Sequence, residues 1–205
     1  MLKLITSLTS PFGRKAWVAV LEKQIPCEII FDVPWNDTVL VTENNPLGKV
    51  PILLRDKACS LFDSRVIVEY IDSLSSQVTP LIPIDLENRI AVKRVEALAD
   101  GLTDALLNLF LEKTKRTPEM RSQWWIDRQM NKLNGALTLL STELGENQYY
   151  IDNRYSLADI SVVCSLGYVD LRFGEIDWRT TYPNLANFVS RLNERESFQI
   201  SMPKP

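Results

Sequence analysis

Ser7-Leu8-Thr9-Ser10-Pro11-Phe12-Gly13-Arg14-Lys15 is the stretch on which the reading of this chain turns. Before it, Leu2, Leu4 and Ile5 read as a short buried strand. After it, Ala16, Trp17, Val20 and Leu21 carry the spacing of a helix lying across a sheet. The polar stretch is therefore a strand-to-helix turn. Ser10 followed by Pro11 is a helix start: the serine oxygen accepts an orphan amide bond, and proline at the first position lacks the amide that would go unpaired. Capping alone accounts for Ser10. It uses an oxygen lone pair, however, and leaves the O–H free to donate to an anion beside the positive helix end.

Working outward, Cys27 to Val33 reads as a second strand, with Ile25-Pro26 marking its entry. Pro34 to Asn45 is polar and mixed, a loop or short irregular helix carrying Trp35, which is either a packing plug or a ligand contact. Asn45-Pro46-Leu47-Gly48-Lys49-Val50-Pro51 is a tight turn flowing into Ile52-Leu53-Leu54. Arg55 to Ala58 makes a hairpin turn into Cys59-Ser60-Leu61-Phe62. Asp63-Ser64 ends that strand and opens a helix with Val66, Ile67, Tyr70, Ile71 and Leu74 on one face. The order βαβ-ββα is that of a thioredoxin-like domain, placed at residues 1–78. Serine and proline dominate Ser73 to Pro83, where Pro80 and Pro83 forbid a continuous helix, so 79–84 is the expected linker.

Residues 85–205 read as an all-helical bundle domain. Val95, Leu98, Leu102, Leu106, Leu109 and Phe110 mark one long helix. A second is expected to begin near Thr117-Pro118-Glu119 and run through Ile126, Met130, Leu133, Leu137 and Leu140 to Gly145, packing antiparallel to the first. Ser156-Leu157-Ala158-Asp159 is a capping box variant that opens a buried third helix, and Tyr182-Pro183-Asn184 starts one more, running to about Glu194.

Composition removes whole classes of chemistry. The chain has no histidine, so Ser-His and Cys-His nucleophile pairs and histidine metal sites are excluded, and no metal is expected. A net charge of −3, without a dense basic stripe, argues against nucleic acid as a partner. No apolar run is long enough for a bilayer and the first residues do not form a secretory signal, so a cytoplasmic protein without membrane association is expected. Cys27, Cys59 and Cys164 lack the close spacing of zinc or dithiol sites and read as reduced, mostly buried packing residues.

A thioredoxin-like domain joined to a helical one is similar to the glutathione S-transferase superfamily, and four separated motifs agree. Ser10-Pro11-Phe12 resembles the activating turn of bacterial-type, serine-containing members, and Lys49-Val50-Pro51 the segment before a cis-proline. Asp63-Ser64 resembles the acidic-serine pair, and Ser156 to Asp159 the capping motif of the helical domain. The resemblance supplies the anion: the thiolate of glutathione, held by Ser10, with Thr9 and Ser7 as competing donors. Lowering a thiol pKa from about 8.5 by about 2 units needs roughly 2.7 kcal/mol. A hydrogen bond to a charged group contributes about 1.5–3 kcal/mol, and a helix terminus about 0.3–1 kcal/mol more.

By the same resemblance, the backbone of Val50 before Pro51 would pair with the cysteinyl part of the tripeptide. Asp63 and Ser64 would take its γ-glutamyl end, and Lys49 its glycyl carboxylate. Phe12 and Trp35, with residues from Leu107 to Leu111, would line the electrophile pocket. Asp100 resembles an acidic residue that in some relatives reaches across a dimer; a surface aspartate is the plain alternative. Ser10 in place of cysteine excludes a disulfide mechanism through this position. Arg65, and Asp63 in place of the commoner glutamate, would shift the glutathione contacts. The implied protein is a homodimeric detoxifying transferase with glutathione as co-substrate. A non-catalytic binding or regulatory module and a glutathione-dependent peroxidase are the alternatives.

Overall fold

The structure is a computed structural model that describes every residue except Asp37, Ser76 and Pro205, and the side chain of Asn36. The expected irregular stretch 34–45 is thus described apart from Asp37, and the serine- and proline-rich stretch apart from Ser76. The described residues fall into two compact units, Met1–Ile84 together with the segment from Asn193 on, and Asp85–Leu192.

The first unit is the expected thioredoxin-like arrangement. Strands β1 (Leu2–Thr6), β2 (Cys27–Phe31), β3 (Ile52–Arg55) and β4 (Ala58–Leu61) form one mixed sheet in the order β2-β1-β3-β4. β1 runs parallel to β2, with Leu4 opposite Ile29, and antiparallel to β3, with Leu4 opposite Leu53. β3 and β4 form the hairpin, turning at Asp56-Lys57 with Lys57 at a φ of 55°. Helices α1 (Pro11–Glu22) and α3 (Ser64–Ser73) pack together, burying Ala16, Val20, Ile67 and Ile71. Among the described residues of the expected loop or short irregular helix are a 3-10 turn, Pro34–Asn36, and a helix α2 (Val39–Asn44), whose Val41 is buried with Ile5 and Ile52.

The second unit is helical: α4 (Leu86–Thr114), α5 (Gln123–Leu144), α6 (Leu157–Arg172), α7 (Trp178–Thr181) and α8 (Pro183–Leu192). Glu112 accepts the Ser122 amide at one end of the α4–α5 pair and Arg94 bonds Glu143 at the other, which makes the pair antiparallel. The expected start of the second helix is corrected. Pro118–Met120 is an isolated 3-10 turn, and α5 begins after Ser122, whose hydroxyl accepts the Trp125 amide at 3.3 Å. α6 is buried along nearly its whole length, from Leu157 to Val169 apart from Gly167. At its start Asp159 accepts the Ser156 amide (2.7 Å) and hydroxyl (3.0 Å) and the Tyr150 amide (3.0 Å).

Two further expectations are corrected. The segment from Asn193 on, assigned by sequence to the helical domain, packs on the first unit, where α9 (Glu196–Ile200) meets α1. Its residues are recruited by buried charge on α1, described below. Of the three cysteines only Cys164 is buried; Cys27 is half-buried and Cys59 exposed, because both lie on the edge strands β2 and β4.

Candidate functional site

Sheet topology gathers the predicted residues at one end. β1 and β2 both finish there, antiparallel β3 starts there with Ile52 opposite Ile5, and β4, antiparallel to β3, returns to it. The Ser7–Ser10 turn, Trp35, Lys49-Val50-Pro51 and Asp63-Ser64 therefore all follow or precede strands at the same end of the sheet.

Ser10 is the N-cap of α1, and its Oγ accepts the Gly13 amide at 3.0 Å. Its own amide donates to the Ser7 carbonyl at 3.2 Å, closing the turn. With a lone pair engaged by Gly13, the hydroxyl keeps its single O–H donor. Gly13 is required by close approach: a Cβ there would stand 1.9 Å from Thr6 Oγ1. Phe12 is half-buried in the first turn of α1, and Trp35 is 51% exposed.

The Val50–Pro51 peptide is cis, and Pro51 is buried. What shapes the approach to it is Asn45, 1% exposed, a residue that sequence reasoning passed over. Its Nδ2 donates to the Lys49 carbonyl at 2.8 Å and its Oδ1 accepts the Leu47 amide at 3.0 Å, while Gly48, at a φ of 62°, donates to the Asn45 carbonyl. Lys49 itself is exposed, at the end of a loop held by these bonds. Asp63 is the N-cap of α3, with Oδ1 accepting the Arg65 amide at 3.0 Å, and Ser64 behind it is 1% exposed. Asp63 is exposed, so its carboxylate combines a capping role with access to solvent.

Sequence reasoning also missed three buried cations, two on α1 and one, Lys23, capping its C-terminal end. Arg14, Lys15 and Lys23 are 5%, 1% and 1% exposed. Lys23 Nζ lies 3.0 Å from Asp72 Oδ1 and donates to the Val78 carbonyl, while Asp72 accepts the Leu81 and Ile82 amides. A spacing signal existed, since Arg14 and Lys15 stand four residues before the buried Val18 and Ala19, but residue type argued against it. Elsewhere, burial pushes the Cys27 thiol up to about 11. On α4, Leu107 and Leu111 are half-buried, and Asp100 is 3% exposed, which corrects the surface alternative.

Comparison with known proteins agrees with this architecture. Residues 4–79 match the family described as "Glutathione S-transferase, N-terminal domain", and residues 124–191 match "Glutathione S-transferase, C-terminal domain". The uncharacterized GST-like protein YibF of Escherichia coli is 36% identical over 202 residues, covering 98% of each chain. A glutathione S-transferase of Methylobacillus flagellatus, solved with glutathione bound, superposes with a TM-score of 0.95 at 40% identity, covering 100% of both chains. A second, from Methylobacterium radiotolerans in complex with glutathione sulfonate, gives 0.94 at 36% identity, covering 100% of this chain and 95% of its own. In sequence along nearly its whole length and in fold, the chain belongs to the glutathione S-transferase superfamily.

Proposed function

We propose that this protein is a glutathione transferase of the serine type, in which the Ser10 hydroxyl donates to the thiolate of bound glutathione. The sulfur attacks a small electrophile, forming a C–S bond while the leaving group departs or the adduct takes up a proton. The observation that carries this reading is the capping geometry: Gly13 occupies one lone pair of Ser10 Oγ at 3.0 Å, which leaves the O–H available to donate to a ligand at the positive end of α1. The glutathione-bound relatives support the ligand. Val50 offers its backbone to the cysteinyl part, Asp63 its carboxylate to the γ-glutamyl ammonium, and Ser64 with the α3 amides the γ-glutamyl carboxylate. Lys49 pairs with the glycyl carboxylate, and Phe12 and Trp35 face the electrophile. We assign the working form as a cytoplasmic, detoxifying homodimer.

The test is Ser10→Ala beside Ser7→Ala and Thr9→Ala, read by the absorbance of the glutathione thiolate against pH and by conjugation rates across a panel of electrophiles. Ser10→Ala is expected to raise the thiol pKa toward about 8.5; an unchanged profile removes Ser10 from the role. Glutathione binding without turnover on any electrophile or peroxide would favour a binding module, and turnover of peroxides alone a peroxidase.

A further inference from the structure

The end of the chain is built into the Ser10 turn. From Asn193 on, it is fastened to both ends of α1. At the far end, Glu22 accepts Arg195 Nε and Nη2 at 2.9 and 2.7 Å and the Ser197 hydroxyl at 2.5 Å. At the near end stands Arg14, whose backbone amide donates to the Ser10 carbonyl at 2.8 Å. Its buried guanidinium donates through Nη2 to Asn193 Oδ1 (3.3 Å) and the Phe198 carbonyl (3.2 Å), and through Nε to Ser201 Oγ (3.4 Å). It also lies 5.3 Å from the centroid of the Phe198 ring, itself 0% exposed. Beyond Ser201 the Lys204 amide donates to the Leu8 carbonyl at 3.4 Å, inside the Ser7–Ser10 turn.

The geometry points to a positioning role for Arg14 and the segment Asn193–Lys204: together they set where the Ser10 hydroxyl stands. This rests on the reading of Ser10 as the thiolate's donor. A hydroxyl in a turn acts on a ligand only if held to within about 0.5 Å. The Ser10 turn is closed by one backbone bond of its own, Ser10 to Ser7. Arg14 joins the Ser10 main chain to the C-terminal segment through charge-assisted bonds, which are costly to break once buried. The Lys204–Leu8 bond then returns that anchorage to the turn, so the site is braced from both sides of Ser10.

Arg14→Lys, Arg14→Ala and a chain ending at Pro203 test the idea, with glutathione as the probe. Among the described residues the shortened chain keeps every buried group and loses the exposed Lys204 with its bond to Leu8, so it stays informative where Arg14→Ala fails to fold. In the folded variants the Gly13 amide is expected to exchange several-fold faster, and the bound thiol pKa to rise toward about 8.5. Glutathione affinity measured at about pH 5, where the thiol is almost wholly protonated in every variant, is expected to hold, and the bound thiol pKa of Arg14→Lys to fall between those of wild type and Arg14→Ala. Unchanged Gly13 exchange and an unchanged thiol profile in folded variants overturn the proposal. If the wild-type thiol profile is itself insensitive to Ser10→Ala, the transferase reading of Ser10 fails, and Gly13 exchange alone still decides whether the segment positions the turn.

Discussion

At the scale of single residues, the site depends on two positions that touch no ligand in any reading. Gly13 lets β1 and α1 approach until a Cβ would meet Thr6 Oγ1 at 1.9 Å. Gly13→Ala is therefore expected to cost about 1–3 kcal/mol in urea denaturation by overpacking. Adding Thr6→Ala should recover part of that loss; strictly additive costs would show that the clash is relieved elsewhere. Asn45 spans its own loop with bonds to Lys49 and Leu47. Asn45→Ala, stripping buried bonds, is expected to destabilise by about 1–3 kcal/mol and to weaken glutathione binding beyond that loss of fold. Calorimetry on the folded variant decides, and unaltered affinity would mean that the loop holds its shape without Asn45.

At the scale of elements, two ionisable sites, the Lys23–Asp72 pair and Asp159, tie helix ends to loops. The Lys23–Asp72 pair joins the end of α1 to α3 and to the segment at Val78–Ile82. Asp72→Ala leaves the Lys23 ammonium buried without its carboxylate and is expected to cost about 3–5 kcal/mol. Lys23→Met should cost less, because Asp72 keeps the Leu81 and Ile82 amides. At the start of α6, burial outweighs the hydrogen bonds from Tyr150, from Ser156 and from its own backbone and raises the Asp159 carboxyl to about 6. The folded chain thus holds this proton more tightly than the unfolded one. The stability that follows is fully present below about pH 4, near the ordinary carboxyl value, and is lost as pH rises through about 6. Wild-type stability should fall relative to Asp159→Asn across that window; a flat or rising difference would refute the shift.

At the scale of the whole molecule, the chain crosses between its units and comes back. Residues 193 onward return to the first unit, where Phe198 is fully buried and Arg14 and Glu22 find their partners. A chain ending at Leu192 therefore loses a packed phenylalanine, a loss on the order of 3–5 kcal/mol, and leaves two charges without these partners. Hydrogen exchange by mass spectrometry should show the loss of protection beginning in β1 and α1. Protection lost first in α4 or α6 would contradict the assignment of this segment to the first unit.

The sequence by itself determined what is local. Periodicity of two and of three to four, the caps at Ser10, Asp63 and Ser156, and the punctuation by proline and glycine carried the order of strands and main helices. They also carried the family resemblance, because each of these signals is complete within a few residues. Ser122 as the cap of α5 lies within that reach, but Thr117-Pro118 offers the same signature of a hydroxyl before a helical run. Tertiary structure alone decided where buried charge is satisfied and where the last residues go. Arg14 and Ser201 lie 187 positions apart, Arg195 and Glu22 173. A hydrogen bond across such a separation leaves no pattern in the neighbouring sequence, so nothing near Arg14 or Glu22 announces their partners until the fold supplies them.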